Sequence, residues 1–166
     1  YAIYDGLREI PPYDEDLDAE GTPAAVADLK RAITEADGVL FATPEYNSSI
    51  PGELKNALDW LSRPLATNPI RNKPVAVIGA SRGAFGAVWA QAELRKVLAA
   101  MGARVIEGEV AVGHAADRLA PSPDSVARDL FDGRVIGAHL DHLATAQHDD
   151  GGWMFNWQAW SPAAER

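Results

Sequence analysis

The 166-residue chain contains no cysteine. That excludes disulfide frameworks, thiolate zinc sites, iron–sulfur clusters and cysteine nucleophiles. No apolar stretch approaches the ~20 residues that a membrane span requires, and no signal peptide is visible, so a cytoplasmic location without membrane contact is expected. Positive charge is scarce: fifteen Lys and Arg against twenty-four Asp and Glu give a net charge of −9. A nucleic-acid partner is therefore not expected, because a phosphate backbone needs a basic face. One phosphate held locally by backbone N–H groups remains compatible with this charge. Methionine is absent from the first position, which is Tyr1.

What is present is the composition of one soluble domain. The punctuation alternates between two periods. Tyr1–Tyr4 reads as a short strand closed by Asp5-Gly6. Pro11-Pro12-Tyr13 and the acidic run Asp14-Glu15-Asp16 read as a loop. Thr22-Pro23 reads as a cap and first helical residue, with Val26, Leu29, Ile33 and Ala36 on one face up to Gly38. Val39–Ala42 and Val75–Ile78 are continuous apolar runs, as strands buried on both faces should be. Between them Pro51 opens a helix with Leu54, Ala57, Leu58 and Leu61 on one side. A helix over about 87–101 ends at Gly102, a strand runs from Val105 to Val112, and Ser122-Pro123-Asp124 caps a last helix to about Ala146.

This alternation implies an α/β sandwich with a mostly parallel sheet and helices on both faces. Ligands of such sheets bind outside the carboxyl ends of the strands. Residues 43–50 and 79–86 are the loops at those ends. The first reads Thr43-Pro44-Glu45-Tyr46-Asn47-Ser48-Ser49-Ile50 and continues as Pro51-Gly52-Glu53-Leu54-Lys55-Asn56-Ala57-Leu58-Asp59-Trp60. The second reads Gly79-Ala80-Ser81-Arg82-Gly83-Ala84-Phe85-Gly86.

The run from Pro44 to Pro64 closely resembles the NADPH-dependent FMN reductases, which include quinone, chromate and azo-dye reductases. The likeness extends from Tyr4-Asp5-Gly6-Leu7 to about Ala146. It implies a flavodoxin-like three-layer sandwich with sheet order 2-1-3-4-5, over residues 1–148, followed by a Trp-rich tail over 149–166. It also implies bound FMN, with NADPH or NADH as co-substrate and a small-molecule electron acceptor. Carried over position by position, Pro44, Glu45, Tyr46 and Asn47 contact the isoalloxazine ring, and Gly79, Ala80 and Ser81 form the turn whose serine meets the flavin. Arg82 and Gly83 extend that cofactor-binding turn. Gly83 and Gly86 let the backbone approach closely. The redox chemistry belongs to the flavin, so no catalytic acid or base is assigned. A homodimer or homotetramer is implied as well.

The resemblance departs at the front. The family begins with a strand, a Ser/Arg/Asn-bearing turn and a helix that hold the FMN phosphate, and none of these precedes Tyr1. That strand would lie mid-sheet, so its neighbours would face a gap of unpaired ladder groups. The expectation is an N-terminal truncation of roughly 30 residues by typical element lengths. Gly86-Ala87 also departs from the family's double glycine.

Plainer readings stand beside these. Pro44–Asn47 can serve only as a tight turn before the Pro51 helix, and Ser81 as a turn serine. Arg82 reads first as an exposed loop arginine. Lys55, Asp59 and Arg63 form a surface ion-pair ladder, and Trp60 reads as packing or as part of a subunit interface rather than as redox chemistry. His139 and His142 lack further ligands, so no metal site is assigned. Trp153, Phe155 and Trp157 alternate with period two in a tail read either as a disordered extension or as an anchor on a neighbouring subunit. The leading function is an FMN-dependent NAD(P)H oxidoreductase. The alternatives are a flavodoxin-like electron carrier and a flavin-free interaction domain.

Overall fold

A computed structural model describes residues 2–118, together with the backbone of residues 153–156. The strands are β1 (Ala2–Ile3), β2 (Gly38–Thr43), β3 (Pro74–Ala80), β4 (Arg104–Val105), β5 (Val110–Val112) and β6 (Trp153–Asn156). The helices are α1 (Glu15–Glu20), α2 (Ala24–Glu35), α3 (Gly52–Leu61), α4 (Val88–Ala100) and α5 (Ala115–Arg118). The helix expected over residues 122–146, with His139 and His142, lies outside the described residues.

All strand pairings among the described residues are parallel, in the order β1-β6-β2-β3-β4, with β5 also on β3. The longest ladder joins β2 to β3, from Val39↔Val75 to Thr43↔Gly79. These are the two continuous apolar runs. Val39, Phe41, Val75 and Val77 are buried in one cluster with Val26 and Leu29 of α2, Leu54 and Leu58 of α3, and Leu94 and Leu98 of α4. The connections from β1 to β2, β2 to β3 and β3 to β4 step the same way across the sheet, and right-handed crossovers then keep their helices on one face. The sequence alternation places helices on both faces; among the described residues α2, α3 and α4 share one. Leu40 and Ala76 are buried on the other.

Several local expectations change. The acidic run at residues 14–16 is not a loop: Asp14 caps α1 by accepting from Asp16 N at 2.9 Å and Leu17 N at 3.2 Å. Pro23 and Pro51 each sit one position earlier than a first helical residue, as the cap of α2 and α3. The single strand expected from Val105 to Val112 is two short ones: β4 pairs with the start of β3 and β5 with its end. The Glu107-Gly108-Glu109 stretch that interrupts them is exposed.

The gap expected between the first two strands is filled. Residues 153–156 enter it as β6, pairing Met154 with Ala2 on one side and with Val39 on the other. Their ladder bonds supply the partners that β1 and β2 would otherwise lack.

Trp60 packs as expected. It is fully buried, donates through Nε1 to Pro11 O at 2.8 Å, and meets Tyr13 edge-on at 4.9 Å. Asn56 secures the same loop, accepting from Tyr13 N and donating to Pro11 O, both at 2.8 Å. The ion-pair ladder holds for Lys55 and Asp59 at 2.6 Å, but Arg63 turns instead to the face of Tyr13, 5.7 Å from the ring centre. At the amino ends of the strands, Lys73 donates to the carbonyls of Thr34 and Ala36, which end α2. Burial pushes its ammonium below the usual lysine range, and the Asp37 carboxylate opposes that shift.

The central position of β6 gives a stability prediction. Met154→Pro removes a ladder donor from an inner strand and should cost about 1–3 kcal/mol. A lowered thermal midpoint checks this, whereas an unchanged midpoint would remove residues 153–156 from the sheet.

Candidate functional site

Strands β2 and β3 end together, with Thr43 opposite Gly79. The loops that follow them therefore leave the sheet side by side, which is where ligands of parallel sheets bind.

The loop after β2 is a two-residue hairpin turn. Tyr46 N donates to Ser49 O and Ser49 N to Tyr46 O, both at 3.1 Å. The central residues, Asn47 at φ +53° and Ser48 at φ +61°, are both left-handed, as the preferred two-residue turn demands. Asparagine tolerates this conformation, and serine does so at a cost. The turn projects Tyr46 outward, leaving it 63% exposed. Thr43 is buried beneath, its hydroxyl donating to Pro44 O at 2.9 Å. Pro44 and Glu45 are half-buried and Asn47 is exposed.

The loop after β3 is sewn to the end of β5. Ser81 N donates to Val112 O at 3.0 Å, while Ala115 N donates to Ser81 O and His114 N to Gly83 O, both at 2.9 Å. Inside the loop the Ser81 hydroxyl donates to Gly83 O at 3.2 Å and accepts from Gly86 N at 3.1 Å. Ser81 thus organises its own turn. Arg82 and Gly83 are exposed at the tip, and Ala80 is half-buried.

Glycine is required at Gly86, at Gly79 and at Gly113, where a Cβ would lie 2.1 Å from Ala84 O. A Cβ on Gly86 would lie 2.4 Å from Ala111 C and Val112 N, and its φ is +59°. A Cβ on Gly79 would lie 2.8 Å from Gln91 Nε2 and 2.9 Å from the Ala87 methyl. Gln91 is fully buried and donates to Gly86 O at 3.0 Å. Ala87, where the resemblance leads one to expect a second glycine, also takes a left-handed φ of +61°.

Two aromatic residues at this edge escape the motif reading. Phe85 is 63% and Trp89 47% exposed, and their rings pair at 5.0 Å. The signal was available as two aromatics four apart where the glycine-rich loop becomes a helix. Glu45 and Ser49 reach the same helix: Glu45 accepts from Trp89 N and Ala90 N, and the Ser49 hydroxyl donates to Glu93. The structure thus brings Pro44–Asn47 and Gly79–Gly83 to one edge, with Tyr46, Phe85 and Trp89 as exposed aromatic surface. A cavity of about 590 Å³, lined by Asp37, Arg71, Lys73 and Arg104 among others, lies at the opposite, amino end of the strands and takes none of these residues.

A parallel sheet with paired loops of this kind at its carboxyl edge is a flavodoxin-like architecture. Residues 3–117 match the NADPH-dependent FMN reductase family, and the chain belongs to it. It is 51% identical over 92 residues to the NAD(P)H-dependent FMN reductase PA1204 of Pseudomonas aeruginosa, covering 55% of this chain and 49% of that protein. It is 46% identical over 101 residues to a quinone reductase of Escherichia coli, covering 60% of this chain and 53% of that one. The chain spans about half the length of these curated relatives. Among solved structures it resembles FerB, the flavoenzyme NAD(P)H:(acceptor) oxidoreductase of Paracoccus denitrificans, with a TM-score of 0.70, 37% identity, and coverage of 84% and 75% of the two chains.

Backbone geometry gives opposite predictions for the two loops. Ser48→Gly should stabilise the protein by about 1 kcal/mol, because it relieves a left-handed, exposed serine. Gly79→Ala should destabilise it by about 1–3 kcal/mol through overpacking against Gln91 and Ala87. Chemical denaturation midpoints of both variants check the signs.

Proposed function

We propose that this edge binds FMN and that the protein is an NAD(P)H-dependent reductase of quinone-type acceptors. The observation that carries the reading is the presentation of Tyr46, 63% exposed on a hairpin turn, beside the glycine-dependent turn at Gly79–Gly86. Family membership and the flavin and quinone activities named for its relatives support it.

The residues fit a flat aromatic group with a polar edge. Tyr46 offers aromatic surface, Pro44 and Asn47 flank it, and Gly79–Gly83 offers closely approaching backbone. Bound FMN supplies the hydride and electron transfer. The chain's residues bind the ring, orient it and leave one side open to small molecules. At the start of α4 the Trp89 and Ala90 N–H groups already donate to the Glu45 carboxylate, which makes that helix end a poor place for a phosphate. No side chain is assigned as a catalytic acid or base. The family resemblance extends the proposed acceptors to azo dyes and chromate, and the proposed assembly to a cytoplasmic homodimer or homotetramer.

Anaerobic titration of the FMN-loaded protein with NADPH, followed at the visible flavin band, tests the reading. Bleaching that a quinone reverses is the expected outcome. FMN that binds but stays yellow would favour an electron carrier, and a protein that binds no FMN would favour the flavin-free interaction domain. Tyr46→Ala should weaken FMN about tenfold, the scale of one aromatic contact, as read by flavin fluorescence quenching.

A further inference from the structure

We propose that Glu45 is a positioning residue that locks the two carboxyl-edge loops together through the first turn of α4. The proposal rests on reading this edge as the flavin site, but it gives Glu45 a task other than touching the flavin.

The first N–H groups of a helix lack partners within it. A Ser, Thr, Asp or Asn at the cap position normally accepts from them. The cap position of α4 is Ala87, which has no side-chain acceptor and makes no capping bond. The acceptor comes instead from another loop: Glu45 Oε2 takes Trp89 N at 3.0 Å and Ala90 N at 3.1 Å, across 44 and 45 residues of sequence. Both bonds are charge-assisted, and the carboxylate faces the positive end of the helix dipole.

A second tie lies one turn further along α4, where the Ser49 hydroxyl donates to Glu93. Glu45 and Ser49 flank Tyr46, Asn47 and Ser48. The exposed turn is therefore held at both ends by one helix. That helix begins directly after the Gly79–Gly86 loop, and Gln91 on its buried side holds Gly86 O. The loops after β2 and β3 thus share one strut, and the placement of the Tyr46–Ser48 turn relative to α4 follows from it.

Three variants of the full chain separate this role from direct charge contact with the flavin. Glu45→Ala removes the acceptor. Glu45→Gln keeps an acceptor oxygen without the charge. Glu45→Asp keeps the charge but withdraws the oxygen by one methylene, a change small enough to preserve folding. In flavin-free protein, amide hydrogen exchange at Trp89 and Ala90 should speed up about tenfold in Glu45→Ala and Glu45→Asp, the scale of one lost cap. Glu45→Gln should recover most of the protection. With FMN, Glu45→Ala and Glu45→Asp should bind about tenfold more weakly, and Glu45→Gln should leave the flavin midpoint potential where it is in the wild type.

Unchanged exchange in Glu45→Ala would overturn the proposal. So would a shifted potential in Glu45→Gln, or wild-type FMN binding by Glu45→Asp, since either makes charge near the flavin the role of Glu45. The exchange measurement needs no flavin. A wild-type protein that binds no FMN would therefore sink the flavin reading, while exchange at Trp89 and Ala90 would still decide whether the strut exists.

Discussion

The ladder between β2 and β3 is the constraint on which the rest depends. Its register, from Val39↔Val75 to Thr43↔Gly79, brings two strands to the same edge at the same height. Its apolar side chains hold α2, α3 and α4 against one face. A shift of one residue would turn the Val39, Phe41, Val75 and Val77 set away from those helices. It would also part the two loops whose joint geometry makes the site. Burial of the ladder and placement of the loops are thus one fact seen from two ends.

Beyond the sheet edge, backbone pairing gives way to side-chain ties. Ser81 folds its own turn, the backbone of Val112, His114 and Ala115 braces it, and Gly79 and Gly86 allow the close approach. Glu45 and Ser49 fasten the neighbouring hairpin to α4. The polar residues of both motifs are largely engaged in holding the loops, and the aromatic ones are presented outward. That division suits a flat ligand gripped by shape and backbone.

Legibility followed the range of the interactions. Val39–Ala42 and Val75–Ile78 were readable as buried strands because continuous apolar runs of that length suit a parallel sheet. The starts of α2 and α3 were readable to within a residue because proline cannot lie inside a helix. The Asp14 run does not announce its helix, because acidic residues suit a loop and a helix cap equally well; what distinguishes them is whether Asp14 turns back to Asp16 N and Leu17 N. The Val105–Val112 segment looked continuous, yet the exposed Glu107-Gly108-Glu109 stretch separates two pairings with different parts of β3. In the tail, the alternation of Trp153 and Phe155 was visible, but the position of those residues between β1 and β2 was not.

The sequence by itself determined the parallel α/β class, the two edge loops and the family, because these rest on local periodicity and on motifs contiguous in the chain. Tertiary structure alone decided that Glu45 caps a helix 44 residues away, that Phe85 and Trp89 stay exposed where α4 begins, and that residues 153–156 enter the middle of the sheet. Each of these joins groups far apart along the chain. No local pattern encodes such a partner; it exists only once the sheet has set the distance.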